Sequence, residues 1–142
     1  MTMKTPRIRL GNDDAWVELV QTGGDNQTDE ENWRVTADWC SWMTADFPAY
    51  LSVEEATDFA ARMLSHLRHP SGLRFSTAVT SGRNNPLTLT AEPVEDGYAF
   101  LVYLTPHGDD NACHLQMEIN PIDTTELCNM FDALQASLMV TS

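Results

Sequence analysis

The sequence predicts an α+β domain: a twisted antiparallel β-sheet, built as two meanders, with two amphipathic helices packed on one face. Three observations lead there: two segments place apolar residues at helical spacing, the remainder alternates with a period of two, and the links between strands are short. Short links demand antiparallel neighbours, because a parallel crossover takes about a dozen residues or more.

Strands over 7–10 and 15–20 are joined through Gly11-Asn12-Asp13, and 22–31 reads as a polar loop rich in Gly, Asp, Asn and Gln. Trp33, Val35, Ala37 and Trp39 then alternate with Arg34, Thr36, Asp38 and Cys40, the pattern of a half-buried strand. Another strand over 44–51 leads into the first helix. That helix starts at Ser52, with Glu55 completing an SxxE capping box, and Val53, Ala56, Phe59, Ala60, Met63, Leu64 and Leu67 share one face. Pro70 and Gly72 end it.

Four strands follow over 73–80, 87–92, 98–104 and 113–120, connected by turn-like segments at 81–86, 95–97 and 106–111. The second helix begins near Asp123, with Glu126 in its first turn. Its stripe is Leu127, Met130, Phe131, Leu134 and Leu138. The 142 residues, 42% of them hydrophobic, fit one domain over 1–142, with 1–6 as a flexible N-terminus.

Charge is distributed unevenly along this order. The chain has 21 acidic and eight basic side chains, and three of the eight (Lys4, Arg7, Arg9) fall in the first nine residues. From 84 to 142 there is no lysine or arginine, yet Glu92, Glu95, Asp96, Asp109, Asp110, Glu118, Asp123, Glu126 and Asp132 all lie there. Nothing within the stretch neutralises them. Such a surface repels nucleic acid and anionic membranes and attracts basic proteins over a Debye length of about 8–10 Å. High net charge also serves solubility alone. Asp123 and Glu126 are explained as helix-start residues and Asp132 as a solvated helical position. The other six remain interface candidates.

Pleat parity sends Leu87, Leu89, Phe100, Val102, Leu115, Met117 and Ile119 toward the helices and Thr88, Thr90, Glu92, His114, Gln116 and Glu118 away from them. Leu101 and Tyr103 should emerge on that polar face, and Trp42, off the Trp33-Val35-Trp39 stripe, is expected to join them. The candidate partner-binding residues are therefore Trp42, Glu92, Glu95, Asp96, Leu101, Tyr103, Asp109, Asp110 and Glu118. An apolar patch rimmed by carboxylates suits a protein partner more than a small ligand. The alternative is a central strand covered on both faces.

Candidates for chemistry are few. His107, Asp109, Asp110, Cys113 and His114 cluster, but without HxxxH spacing or a second ligand group, so they read as a solvated loop running into a strand. No GxSxG, GxGxxG or Walker loop occurs. Arg62, His66 and His69 share a helix face with Asp58 one turn before Arg62, an ion-paired solvent face. Cys40, Cys113 and Cys128, odd in number and without CxxC spacing, read as reduced thiols of a cytoplasmic protein. There is neither a secretory signal nor a window of about 20 apolar residues. The expectation is a non-enzyme with no metal and no cofactor.

Several local patterns resemble the WapI-type immunity proteins of contact-dependent (Rhs, wall-associated) bacterial toxin systems. Glu31-Asn32-Trp33 opens a strand, Tyr50-Leu51-Ser52 passes straight into a helix with Glu54-Glu55 and Phe59, and Ser71-Gly72-Leu73-Arg74-Phe75 follows it. Leu87-Thr88-Leu89, Gly97 before a strand, and a last strand running into Asp123-Thr124-Thr125-Glu126-Leu127 continue the likeness, which spans 31–138. Pro121 and the Trp39–Trp42 pair depart from it. The resemblance implies a cytoplasmic, stoichiometric inhibitor of a toxin domain, without catalytic residues.

Charge alone suggests a similar partner, because nucleases need basic clefts to hold phosphates. The first expectation is an immunity protein that neutralises a basic toxin, a nuclease, by binding it. A DNA-mimic inhibitor of a host nucleic-acid-binding protein is the alternative, and a small enzyme or metal protein is the third. A homodimer through 98–104 or an edge strand stays open.

Overall fold

The computed structural model describes residues 6–22, 33–69, 72–80, 85–106 and 115–140. The polar loop expected at 22–31 falls almost wholly outside them. So do Asp109, Asp110 and the cluster from His107 to His114.

Eight strands and two helices follow the expected order: β1 (Arg7–Gly11), β2 (Ala15–Gln21), β3 (Trp33–Trp39), β4 (Met43–Ala49), α1 (Val53–Arg68), β5 (Phe75–Ala78), β6 (Leu87–Pro93), β7 (Gly97–Leu104), β8 (Leu115–Asp123) and α2 (Thr124–Val140). Every strand pairs antiparallel with its sequence neighbour. Hydrogen bonding divides the strands into two four-stranded sheets, β1-β2-β3-β4 and β5-β6-β7-β8, rather than one. β1 lies beside β8 at the seam, but the two belong to different ladders. Side chains close the seam from beneath: Leu10 and Leu19 of the first sheet, Leu89 of the second, Phe59 of α1 and Phe131 of α2 line one small apolar void.

Period-two alternation is what puts one side of each sheet into this core. Ile8, Leu10, Val17, Leu19, Trp33, Val35 and Ala37 are buried from the first sheet, and Leu87, Leu89, Phe100, Val102, Met117 and Ile119 from the second. Trp33, which opens the family likeness, is a core residue whose indole N–H meets no acceptor among the described residues.

The helices cover these faces. At α1 the Ser52 hydroxyl accepts the Glu55 N–H at 3.0 Å and the Glu55 carboxylate accepts the Ser52 N–H at 2.9 Å, so the capping box forms as the spacing implied. Ala56, Phe59, Ala60, Met63, Leu64 and Leu67 are buried, while Val53, at the first turn, stays exposed. Leu127, Phe131, Leu134 and Leu138 bury the matching stripe of α2. Phe59 and Phe131 meet edge to face at the helix–helix contact, with centroids 5.7 Å apart. Burying each such ring is worth about 1.5–3 kcal/mol.

Strand bounds differ from the sequence reading by one to three residues, most at β5 and β8. β5 is shorter than 73–80, because Leu73 is 69% exposed and Thr80 turns away, its N–H donating to the Asn85 side chain. β8 is longer, running through Pro121 into α2. The register passes from Phe100↔Ile119 to Tyr98↔Ile122, so Asn120 and Pro121 together face Ala99. That bulge, on an edge strand, accommodates a proline that has no N–H to give to a ladder.

The N-terminal expectation is corrected at Pro6. Pro6 is buried and its carbonyl accepts the Gln21 N–H at 2.9 Å, and residues 1–5 lie outside the described residues. On the outer side of the first sheet, Arg7 pairs with Glu18 at 2.6 Å, Arg34 pairs with Asp46, and the Arg9 guanidinium lies 4.3 Å from the centre of the Trp16 ring.

Candidate functional site

The outer side of the second sheet carries the expected polar and apolar mixture, and the strand register sets its order. One row runs Ser76, Thr90, Leu101, Glu118 across β5, β6, β7 and β8; the next runs Ala78, Thr88, Tyr103, Gln116. Leu101 is 37% exposed and Tyr103 half-buried, so both emerge where pleat parity puts them. Ser76 and Thr90 hydroxyls share a hydrogen bond of 2.8 Å at the β5 edge.

Beside the Thr90-Leu101-Glu118 row, on the side away from Tyr103, the sheet forms a shallow groove of about 390 Å³. Ala99 and Leu101 make its floor, Arg74, Thr90 and Glu92 one wall, and Glu118, Asn120 and Pro121 the other. The β8 bulge supplies two of those wall residues. Three expected residues, Glu92, Leu101 and Glu118, are thus brought together in one depression.

The remaining expected residues scatter. Glu95 and Asp96 occupy the exposed β6–β7 turn, which closes through Val94 N–H to the Gly97 carbonyl at 2.9 Å. The Asp96 carbonyl accepts the Thr124 N–H at 3.1 Å, tying this turn to the start of α2. Gly97 is required there, because a Cβ would stand 1.9 Å from the Ile122 carbonyl oxygen. Trp42 does not join Leu101 and Tyr103. It sits in the β3–β4 turn of the other sheet, with its ring edge-on to Trp39 at 6.4 Å. The alternation was right to set Trp42 off the core stripe, but the split into two sheets gives it a different neighbourhood.

Charge pairing also refines the cation-free stretch. Arg74 reaches Glu92 at 3.4 Å and Arg68 reaches Asp132 at 2.5 Å, both from outside 84–142. Asp132 is therefore an α1–α2 tie rather than a merely solvated position. Asp123 caps α2, its carboxylate accepting the N–H groups of Thr125 and Glu126 at 3.0 and 3.4 Å. Glu118 has no ion-pair partner among the described residues.

Sequence reasoning missed Arg74 and Asn120. Arg74 was legible in principle: the pairing of Ser76 with Thr90, extended two residues, sets Arg74 opposite Glu92. Asn120 was not, since only the bulge turns it into the wall.

The groove offers carboxylate and amide acceptors around an apolar floor. It suits a cationic side chain whose methylenes rest on Leu101 while its head reaches Glu118. No group of three or more His, Cys, Asp or Glu side chains able to hold a metal occurs among the described residues. On α1, Arg62 pairs with Asp58 at 2.7 Å and the exposed His66 ring stacks on Phe75 at 4.0 Å. Cys128 packs against the core and Cys40 is exposed. No helix of the described chain is long and apolar enough to cross a membrane. No protein-family model, curated protein or solved structure matches this chain.

Proposed function

We propose that this protein is a non-catalytic binding protein, an immunity protein that neutralises a basic toxin domain, a nuclease, by stoichiometric association in the cytoplasm. The observation that carries this reading is the groove on the second sheet, where Glu118, without a cation of its own among the described residues, stands beside exposed Leu101. A cationic partner gains attraction from the carboxylates and apolar burial from the floor. A net charge of −13 speeds its approach.

The DNA-mimic alternative draws less support. Along the outer rows Thr88, Thr90, Leu101 and Tyr103 separate the carboxylates, which is unlike the regular charge spacing of a phosphate backbone. The test is to mix the purified protein with the product of the gene immediately upstream of its own. A one-to-one complex that abolishes that product's toxicity is expected; no complex with it or any neighbouring toxin overturns the reading.

A further inference from the structure

The β3–β4 turn presents its tryptophan to solvent in a way its backbone does not do cheaply. Cys40 and Ser41 both have positive φ, 54° and 63°, in consecutive positions where glycine or asparagine is the ordinary choice. Three N–H groups in a row fix the turn. Cys40 donates to the Asp14 carbonyl at 2.6 Å, Ser41 to the Asp38 carboxylate at 2.9 Å, and Trp42 to the Trp39 carbonyl at 2.9 Å.

What this holds in place is the backbone that carries Trp42, whose indole is 82% exposed. Its contact with Trp39 is T-shaped at 6.4 Å and leaves most of the indole open to solvent. Tryptophan is the side chain that most often anchors a protein interface, and one displayed on a pinned turn loses little freedom on binding.

Charge at this tip points to the occupant. The Cys40–Asp14 hydrogen bond joins the β3–β4 turn to the β1–β2 turn, whose Asp13 and Asp14 are exposed, and Asp38 lies at the base of the same tip. An exposed indole on a turn joined to a carboxylate-bearing turn attracts a guanidinium: the ring quadrupole favours the cation and the nearby negative charge draws it in. The same sheet already contains this pairing, where Arg9 covers Trp16 at 4.3 Å.

We propose that the joined β1–β2 and β3–β4 turns form a docking site for an arginine side chain of a basic partner, with the guanidinium stacked on Trp42. This site is on the other sheet from the Leu101 groove and does not depend on the partner being a toxin.

The probe is a capped hexa-arginine peptide titrated into the full-length protein, read by the indole N–H resonance of Trp42 and by calorimetry. The Trp42 resonance should move, Trp42→Ala should weaken binding by about three-fold or more, and Trp42→Phe should recover part of that loss. Hexa-lysine should bind more weakly. Glu118→Gln should leave the Trp42 response in place. A stationary Trp42 resonance during peptide binding, or equal affinity of the Trp42→Ala variant and the parent, overturns the proposal. Being solvent-exposed, Trp42 can be replaced without disturbing the core, and circular dichroism of each variant verifies this.

Discussion

Arg74 reaches Glu92 across the β5–β6 edge at 3.4 Å, while Glu118, facing it over the Leu101 floor, has no such counterion among the described residues. The two carboxylates look equivalent in a count of charges. The pairing makes them unequal as attractors for a cation.

Glu118→Lys should therefore slow association with a basic partner more than Glu92→Lys does. A reduction of about three- to ten-fold at low salt is expected for Glu118→Lys, shrinking as salt is raised. Stopped-flow kinetics across a salt series measure it, and equal effects of the two reversals would remove the special standing of Glu118.

Gly97→Ala should destabilise the fold, because the new methyl would stand 1.9 Å from the Ile122 carbonyl oxygen, on backbone that cannot rotate away. Overpacking of this kind costs about 1–3 kcal/mol. Urea denaturation with an unchanged slope and a lower midpoint is the expected signature.

Phe59→Ala and Phe131→Ala should each cost about 3–5 kcal/mol. The double variant should lose less than the two together, since each single change already removes their edge-to-face contact. A double-mutant cycle by thermal or urea unfolding reads the coupling. Full additivity would mean that the rings act independently.

Glu55 gives the fold an acid limb. The Ser52 N–H, then the Thr80 hydroxyl at 2.8 Å, hold its carboxyl below the usual carboxylate value. A folded-state pKa lower than the unfolded one contributes stability that is complete above the unfolded pKa and is lost as pH falls through the folded one. Glu55→Gln should thus lower stability at neutral pH and flatten the acid decline. Parallel pH–stability curves for the parent and variant would refute this assignment.

Much of this architecture could be read from residue order. The capping box at Ser52 and Glu55 and the alternation from Trp33 to Trp39 are local signals, and local hydrogen bonds and pleat geometry carried them into the structure. The groove was partly legible, since parity exposes Leu101 and Glu118 on the same side. What stayed hidden depends on pairing between distant segments. Arg74 is adjacent to Glu92 only through β5–β6 register, and Pro121 enters β8 only because the bulge opposite Ala99 accepts it. Trp42 was assigned to the wrong neighbours because alternation tells which side a residue takes, not that the strands divide into two sheets.

The arginines paired on the first sheet have a bearing on how the molecule meets a partner. Arg7, Arg9 and Arg34 share that outer side with Glu18, Asp38 and Asp46, while Glu92, Glu95, Asp96, Glu118 and Asp123 gather on the other half beside Arg74. Glu18 and Asp46 each have an arginine in contact, whereas among the described residues only Glu92 of those five does. A cation approaching the outer strand face of the first sheet meets carboxylates already neutralised at contact distance, and one approaching the second meets carboxylates still open to it, so the two faces gain differently from the same partner.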